Sequence, residues 1–356
     1  MGVYPTIEKV VQDARQRIQV TDEELDEARE RRAAIAGALL AEFSGARTYF
    51  NGSIAHGDAL TPLTDVDLGV VIPNPDGRYG PGRKGPLELQ ERAAEAIRDR
   101  LSDSYEGLRI EFRDRKRSIL VRFRDPIRTG LPDFTADVIT AIDNPRDAGL
   151  FIPNYSSWDR SHPEEHTRLI SEANKQTEAT FARTVRLLKH WNRKNGAPLC
   201  TWNIKALALG CVRTESPLIS SMRSWFEHSI AELKLGETED PAGVSDKPIR
   251  LNAPRTEVVQ RLEKAAEKLE KAVAYDLAGY PLLAQKELAD LFNDSEMLAP
   301  PSRDELLREG ARFHANPSGK PSSRFGSPAL VAATASAAAT LATTAAATPV
   351  RSWGDR

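Results

Sequence analysis

The sequence predicts a mixed α/β (α+β) protein in two lobes, a sheet-bearing N-terminal lobe and a mainly helical second one. Three observations predict it. Up to about residue 150, short apolar strands alternate with amphipathic helices, whereas beyond Pro153 the apolar spacing is mainly helical. A chain of 356 residues, 40% hydrophobic and 28% charged, has room for two modest cores and the composition of an ordinary globular protein.

Residues 22–44 read as a helix, with Asp22, Glu23 and Glu24 in the first turn and Ile35, Leu39, Leu40 and Phe43 forming an apolar stripe. Residues 47–50 are short and extended, and Asn51-Gly52-Ser53 is a turn. Residues 65–72, DVDLGVVI, alternate and then become wholly apolar, which suits a central strand. A Gly/Pro-rich basic loop at 74–85 precedes a helix at about 86–102. Strands follow at 108–112, 118–123 and 134–142. In the second lobe, helices are predicted over 178–194, 201–213, 219–234 and 255–278, the last rich in Lys/Glu pairs at spacing four. The expected division is therefore 1–150, 151–321, and a Ser/Ala/Thr-rich flexible extension over 322–356 that has too few large apolar groups to form a core.

A formal net charge of −2 leaves no global basic field for duplex nucleic acid, though a local basic cleft for a triphosphate is compatible with it. Cys200 and Cys211 fit no common zinc spacing, and two cysteines in such a chain suit a reducing, cytoplasmic setting. The N-terminus lacks the apolar run of a signal peptide, and no stretch reaches the roughly eighteen apolar residues of a membrane span.

The chemistry is concentrated in FNGSIAHGDALTPLTDVDLGVVI, residues 50–72. Gly52-Ser53 is followed after eleven residues by Asp65-Val66-Asp67. Side chains at i and i+2 of a strand share a face, so both carboxylates meet one spot. A Gly-Ser turn offers backbone N–H groups and a hydroxyl to phosphate oxygens. Two divalent ions roughly 3.5–4 Å apart would clamp the attacking and leaving oxygens of a phosphoryl transfer, and two carboxylates seldom suffice to hold both. Asp137, in the apolar strand 134–142, is the expected third, since an acid there is unfavourable unless paired or metal-bound. A lone Asp-x-Asp ordinarily marks a turn, a cap or a solvated face; the Gly-Ser turn, the apolar flank and the third acid give this one its weight.

Gly52-Ser53-x11-Asp65-x-Asp67 resembles the signature of the DNA polymerase β-like nucleotidyltransferase superfamily, and more narrowly of the bacterial cGAS/DncV-like nucleotidyltransferases (CD-NTases) of anti-phage CBASS systems. Lys116–Phe123 with Ala136–Ile142 resembles the strand pair that ends in the third acid. Trp158, His162-Pro163 and His166 resemble the start of the helical lobe, and Arg186–Asn192 the helix whose lysine approaches the donor triphosphate. The resemblance covers roughly residues 20–275. It implies a polymerase β-like sheet with a helical second lobe, and synthesis of a cyclic di- or trinucleotide from NTPs. Two Mg²⁺ or Mn²⁺ ions would bind Asp65, Asp67 and Asp137, the catalytic acids. Gly52, Ser53, Lys189 and Thr201 would bind nucleotide. Lys205 stands where the family often has an acid, and Thr201 where it has a serine.

The alternatives are a template-independent RNA or tRNA nucleotidyltransferase and a nucleotide-binding pseudoenzyme of the same fold; near-neutral charge weighs against the first and the three acids against the second. His56 reads as a loop residue, Trp191 and Trp202 as core, Arg78–Lys84 as a solvated loop, and Tyr155 and Trp158 as residues where a base would lie. Expected partners are NTPs and, through PVRSWGDR at the end of the tail, CBASS regulatory or conjugating proteins; neither a membrane nor nucleic acid is expected.

Overall fold

The structure, a computed structural model, describes residues 6–245 and 247–315. The predicted tail at 322–356 lies outside the described residues. In chain order the elements are α1 (Ile7–Arg17), α2 (Asp22–Glu42), β1 (Arg47–Phe50), α3 (Gly52–Ala55), β2 (Asp65–Val71), α4 (Leu87–Leu101), β3 (Arg109–Glu111), β4 (Ile119–Arg122), β5 (Thr135–Asp143), β6 (Leu150–Asn154) and β7 (Ser157–Ser161). The helices α5 (Pro163–Gln176), α6 (Thr180–Lys194), α7 (Thr201–Cys211), α8 (Leu218–Leu235), α9 (Arg255–Leu277), α10 (Pro281–Phe292) and α11 (Arg303–Ala315) follow. The mixed α/β first part and helical second part match the fold class the sequence predicts.

Packing divides the described chain into two compact units, one of residues 20–171 with 240–245 and 247, the other of residues 6–19, 172–239 and 248–315. The division falls inside α5, whereas the sequence places it near 150. The reason is β6 and β7. Their hairpin is pinned to the end of β5 by Ile142↔Phe151 and Asp143↔Leu150, so residues 150–161 belong with the sheet.

In the sheet unit, seven strands run β1-β2-β5-β4-β3, with β6 on β5 and β7 on β6. β2 and β5 are parallel neighbours, with Val66↔Ala136, Asp67↔Asp137 and Leu68↔Val138 in register. One face of this pair is dry: Val66, Leu68, Val70, Ala136 and Val138 are buried in a cluster with Ile35 and Leu39 of α2 and Leu89, Ala93 and Ile97 of α4. Each large apolar side chain so buried stabilises the fold by about 1.5–3 kcal/mol, before the entropy of ordering it. α2 opens on a capping box, Thr21 Oγ1 accepting from the Glu24 N–H while the Glu24 carboxylate accepts from the Thr21 N–H. The same carboxylate is buried and takes the Thr61 hydroxyl at 2.7 Å and the Leu63 N–H at 3.1 Å, tying the start of the helix to the loop that leads into β2.

The helical unit surrounds α6, which is buried on nearly every side from Thr180 to Asn192; Trp191 packs edge-on against Trp225 and Phe226 of α8. α1, which the pattern of the sequence does not announce, joins this unit. Glu8 accepts the Leu218 and Ile219 N–H groups at 2.9 and 3.0 Å, filling donors that the first turn of α8 would otherwise leave open. No described helix is long and apolar enough to cross a membrane.

Candidate active site

The acid-bearing strands have their second face toward a different environment. Alternation along β2 puts Asp65 and Asp67 opposite to Val66 and Leu68, and the parallel register sets Asp137 beside Asp67. Asp65 is exposed, and Asp67 and Asp137 are half-buried. The backbone thus brings all three predicted acids to one face, at one end of the two central strands.

The Gly-Ser turn reaches the same place. The sequence predicts a turn at 51–53; the structure continues it into the one-turn helix α3, with Asn51 Oδ1 accepting from the Gly52 N–H at 2.7 Å. Gly52 has φ +81°, and a Cβ built on it would lie 1.8 Å from Asp67 Oδ2. Only a residue without a side chain lets this backbone approach the carboxylate. Ser53 follows directly, its carbonyl accepting the Asp58 N–H at 3.0 Å. His56 is buried and pairs with the Thr167 hydroxyl at 3.1 Å, in keeping with its reading as a structural loop residue.

Tyr49 of β1 closes the face on its other side. Its ring covers Gly69, where an added Cβ would come within 1.9 Å of it. Burial, then the charges of Glu164 and Asp67, push its phenol far above the ordinary range, so it stays protonated, with a buried hydroxyl that has no hydrogen-bond partner among the described residues.

Asp137 has different company. Its Oδ1 accepts the Ser118 hydroxyl at 2.6 Å and an Arg115 N–H at 3.1 Å. Ser118 lies two residues before Leu120, which is directly opposite Asp137, so strand alternation puts its hydroxyl on the acid face. Neither Ser118 nor Arg115 is predicted from sequence. The signal for both is the β4–β5 register, which only the folded sheet reveals. Among the described residues, no group of three or more His, Cys, Asp or Glu side chains converges as a metal-binding cluster.

Divalent-ion chemistry nonetheless fits the residues present. The donor set is three carboxylates, the hard oxygen ligands that Mg²⁺ and Mn²⁺ prefer, with Asp67 and Asp137 in register on neighbouring strands and Asp65 two residues before Asp67, and a glycine cradle that a Cβ would fill lies against Asp67.

Lys189 and Thr201, predicted as nucleotide ligands, belong to the helical unit. Lys189 is half-buried on α6, and Thr201 is exposed at the first position of α7. Trp191 is core, as expected. Tyr155 is exposed at the tip of the β6–β7 hairpin with φ +52°, its N–H bonded to the Lys116 carbonyl at 2.7 Å, and Trp158 donates its indole N–H to the Lys84 carbonyl at 3.0 Å. The predicted basic loop is less free than expected, since Arg78 and Lys84 both pair with Glu88.

No protein-family model matches the sequence, and no curated protein matches it. Solved structures do match. The structure of CdnC in complex with HORMA-deltaN, from E. coli MS115-1, is 16% identical with a TM-score of 0.61, covering 81% of this chain and 97% of that one. This is the CD-NTase fold. CdnG of Bradyrhizobium diazoefficiens, a CD-NTase solved with GTP, is 14% identical with a TM-score of 0.59, over 86% of this chain and 98% of that one. The Vibrio cholerae cyclic AMP-GMP synthase DncV, solved with the linear intermediate 5′ pppA(3′,5′)pG, is 14% identical with a TM-score of 0.54, over 84% and 88%. At this identity the likeness carries the fold alone.

Proposed function

We propose that this chain is a metal-dependent nucleotidyltransferase that joins NTPs into a cyclic di- or trinucleotide second messenger, acting in the cytoplasm in bacterial anti-phage signalling. The observation that carries the reading is the approach of the Gly52 backbone to Asp67 while Asp67 stands in register with Asp137. A phosphate-binding turn and a pair of carboxylates on adjacent strands then serve one reacting centre. The fold shared with CdnC, CdnG and DncV supports it.

In this reading Asp65, Asp67 and Asp137 would hold two Mg²⁺ or Mn²⁺ ions, which would supply charge stabilisation at the α-phosphate and a more acidic acceptor hydroxyl. Ser53 and the adjoining backbone orient the donor triphosphate, and Lys189 of α6 and Thr201 of α7 are proposed as nucleotide ligands. Asp137 faces the acceptor ribose and assists loss of its hydroxyl proton. The ribose oxygen bonds to the α-phosphorus as the bond to the β-phosphate oxygen breaks, and pyrophosphate carries away the electron pair. Closing a ring requires the linear product to turn round and react once more. A regulatory protein is the expected partner, by analogy with CdnC, which is solved with HORMA-deltaN.

The test is incubation of the purified protein with Mg²⁺ or Mn²⁺ and all four NTPs, followed by phosphatase treatment and mass identification, beside Asp65→Ala/Asp67→Ala. A phosphatase-resistant cyclic oligonucleotide, absent from the control, is the expected result. Linear or RNA-attached products would overturn the cyclase reading in favour of a template-independent polymerase.

A further inference from the structure

The carboxylate of Asp137, the third predicted metal ligand, carries a cation of the protein itself. We propose that Arg115 is a built-in counter-ion for Asp137, and that its pairing there competes with the binding of a divalent cation. The proposal rests on the metal-dependent reading above, and it concerns how this chain holds its third acid before an ion arrives.

Four observations carry it. The Arg115 guanidinium takes the same oxygen, Oδ1, that also receives the Ser118 hydroxyl. With two donors on that oxygen, a cation brought to this carboxylate has to compete with them, and like-charge repulsion acts on the guanidinium at 3.1 Å rather than on the neutral hydroxyl. The pair is also weak enough to exchange. The Arg115 and Asp137 side chains are 35% and 37% exposed, a setting in which water and salt screen an ion pair strongly.

Third, Arg115 sits on the turn between β3 and β4, and its basic neighbours have other partners: Arg113 pairs with Glu91 and Arg117 with Asp159. Neither of them therefore competes with Arg115 for Asp137. Fourth, the displaced guanidinium has somewhere to go. A cavity of about 650 Å³ is lined by Arg115 itself together with Glu95, Arg98, Glu111 and Asp114. Glu91 and Glu111 pair with Arg113 and Arg122, whereas Glu95 and Asp114 make no ion pair among the described residues.

The physical consequence is a resting state without the full mutual repulsion of three carboxylates on one face. Arg115 neutralises the third acid, and Ser118 keeps it oriented when Arg115 leaves. Arg115 is thus a positioning residue that sets how readily the third acid accepts an ion.

The deciding experiment is titration of the full chain with Mn²⁺ alone, without nucleotide, free ion being read by electron paramagnetic resonance. Wild type, Arg115→Gln, Arg115→Lys, Asp137→Asn and the Arg115→Gln/Asp137→Asn pair would be compared, with circular dichroism as the check on folding. Arg115→Gln is expected to bind Mn²⁺ roughly 1.5- to fivefold more tightly, the scale of one exposed ion pair. Arg115→Lys should fall between it and wild type, and on the Asp137→Asn background the Arg115 substitution should change nothing. Unchanged or weaker binding by Arg115→Gln and Arg115→Lys, with wild type binding normally through Asp65 and Asp67, would overturn the counter-ion proposal and leave the function standing. Binding that is absent from every variant, or indifferent to Asp65→Ala/Asp67→Ala, would overturn the metal reading and this inference with it.

Discussion

The two faces of the β2–β5 pair share one backbone and one register, yet they are built to opposite requirements. On one face Val66, Leu68, Val70, Ala136 and Val138 are sealed under α2 and α4. On the other, Asp65, Asp67 and Asp137 stand on one face at the same end of neighbouring strands, Asp137 paired with Arg115. The first face gains its stability from burial; the second gives up that burial to carry the acids of the proposed site. Because alternate residues of a strand serve different faces, substitutions one position apart should have separable effects.

The largest separation is expected in catalysis. Asp65→Ala/Asp67→Ala should lower product formation by roughly a thousandfold or more, the scale seen when charge stabilisation at a reacting centre is lost. Its thermal midpoint should be unchanged or raised, because like charges have been removed from one face. A labelled-NTP assay and a melting curve on the same preparation decide it; a large fall in the midpoint would mean the acids are structural. The mirror experiment is Leu68→Ala, one residue along. Leu68 is fully buried, so its truncation should destabilise the fold by about 2–5 kcal/mol while leaving turnover per folded molecule intact. Denaturant unfolding beside activity corrected for folded fraction checks the contrast.

That alternation is also what makes the site legible in the amino-acid sequence. DVDLGVV and TADVITAI show their two faces in a period of two, which is a local property of the chain. The pairing of Asp67 with Asp137 is not local, since a crossover containing α4, β3 and β4 separates them. A third acid can be expected from sequence, but the partners of Asp137 cannot. Ser118 and Arg115 reach it only through the antiparallel β4–β5 register. The β6–β7 hairpin escapes for a related reason. LFIPN ends in proline and asparagine, SWDRS is polar, and both become strands because β5 offers an edge to pair with. Lys189 shows the opposite limit. Its helix is plain from Phe181, Val185 and Leu188, but helical period says nothing about what a half-buried lysine on it touches.

Gly52 lets the contrast be sharpened from the loop side. Gly52→Ala puts a Cβ onto Asp67 Oδ2 and asks alanine to hold φ +81°. The strain is expected to cost about 1–3 kcal/mol, or to be relieved by moving the turn away from the acid. Either way nucleotide affinity should fall more steeply than it does for Leu68→Ala, and isothermal titration with a non-hydrolysable NTP on both variants reads the difference. Equal affinities would show that the turn and the acid do not share a ligand.

A carboxylate away from both faces sets the lower end of the scale. Asp240 is also an aspartate with a basic partner, taking His166 Nε2 at 2.6 Å, but its side chain is only 4% exposed and it accepts the Ala242, Val244 and Ser245 N–H groups as well. Burial alone would raise its pKa; the backbone donors, Ser245 first, and His166 outweigh that and hold it below the usual carboxylate value. Burial likewise lowers His166, more than Asp240 raises it, with His162 lowering it further and Glu165 opposing. Both groups therefore bind fewer protons folded than unfolded, so stability must fall as pH falls. The loss starts as unfolded histidine begins to protonate near 6.5 and continues toward the carboxylate range, around the unfolded aspartate value of 3.8. Amide hydrogen exchange at residues 242–245 should accelerate severalfold between about pH 7.5 and 5.5 after correction for intrinsic rates, and His166→Gln should flatten the change. An unaltered pH profile in His166→Gln would assign the loss to other groups. Asp240 is buried under three backbone donors and a histidine, whereas Asp137 is held by one hydroxyl and one half-exposed guanidinium, so of the two carboxylates Asp137 is the more open to a change of partner.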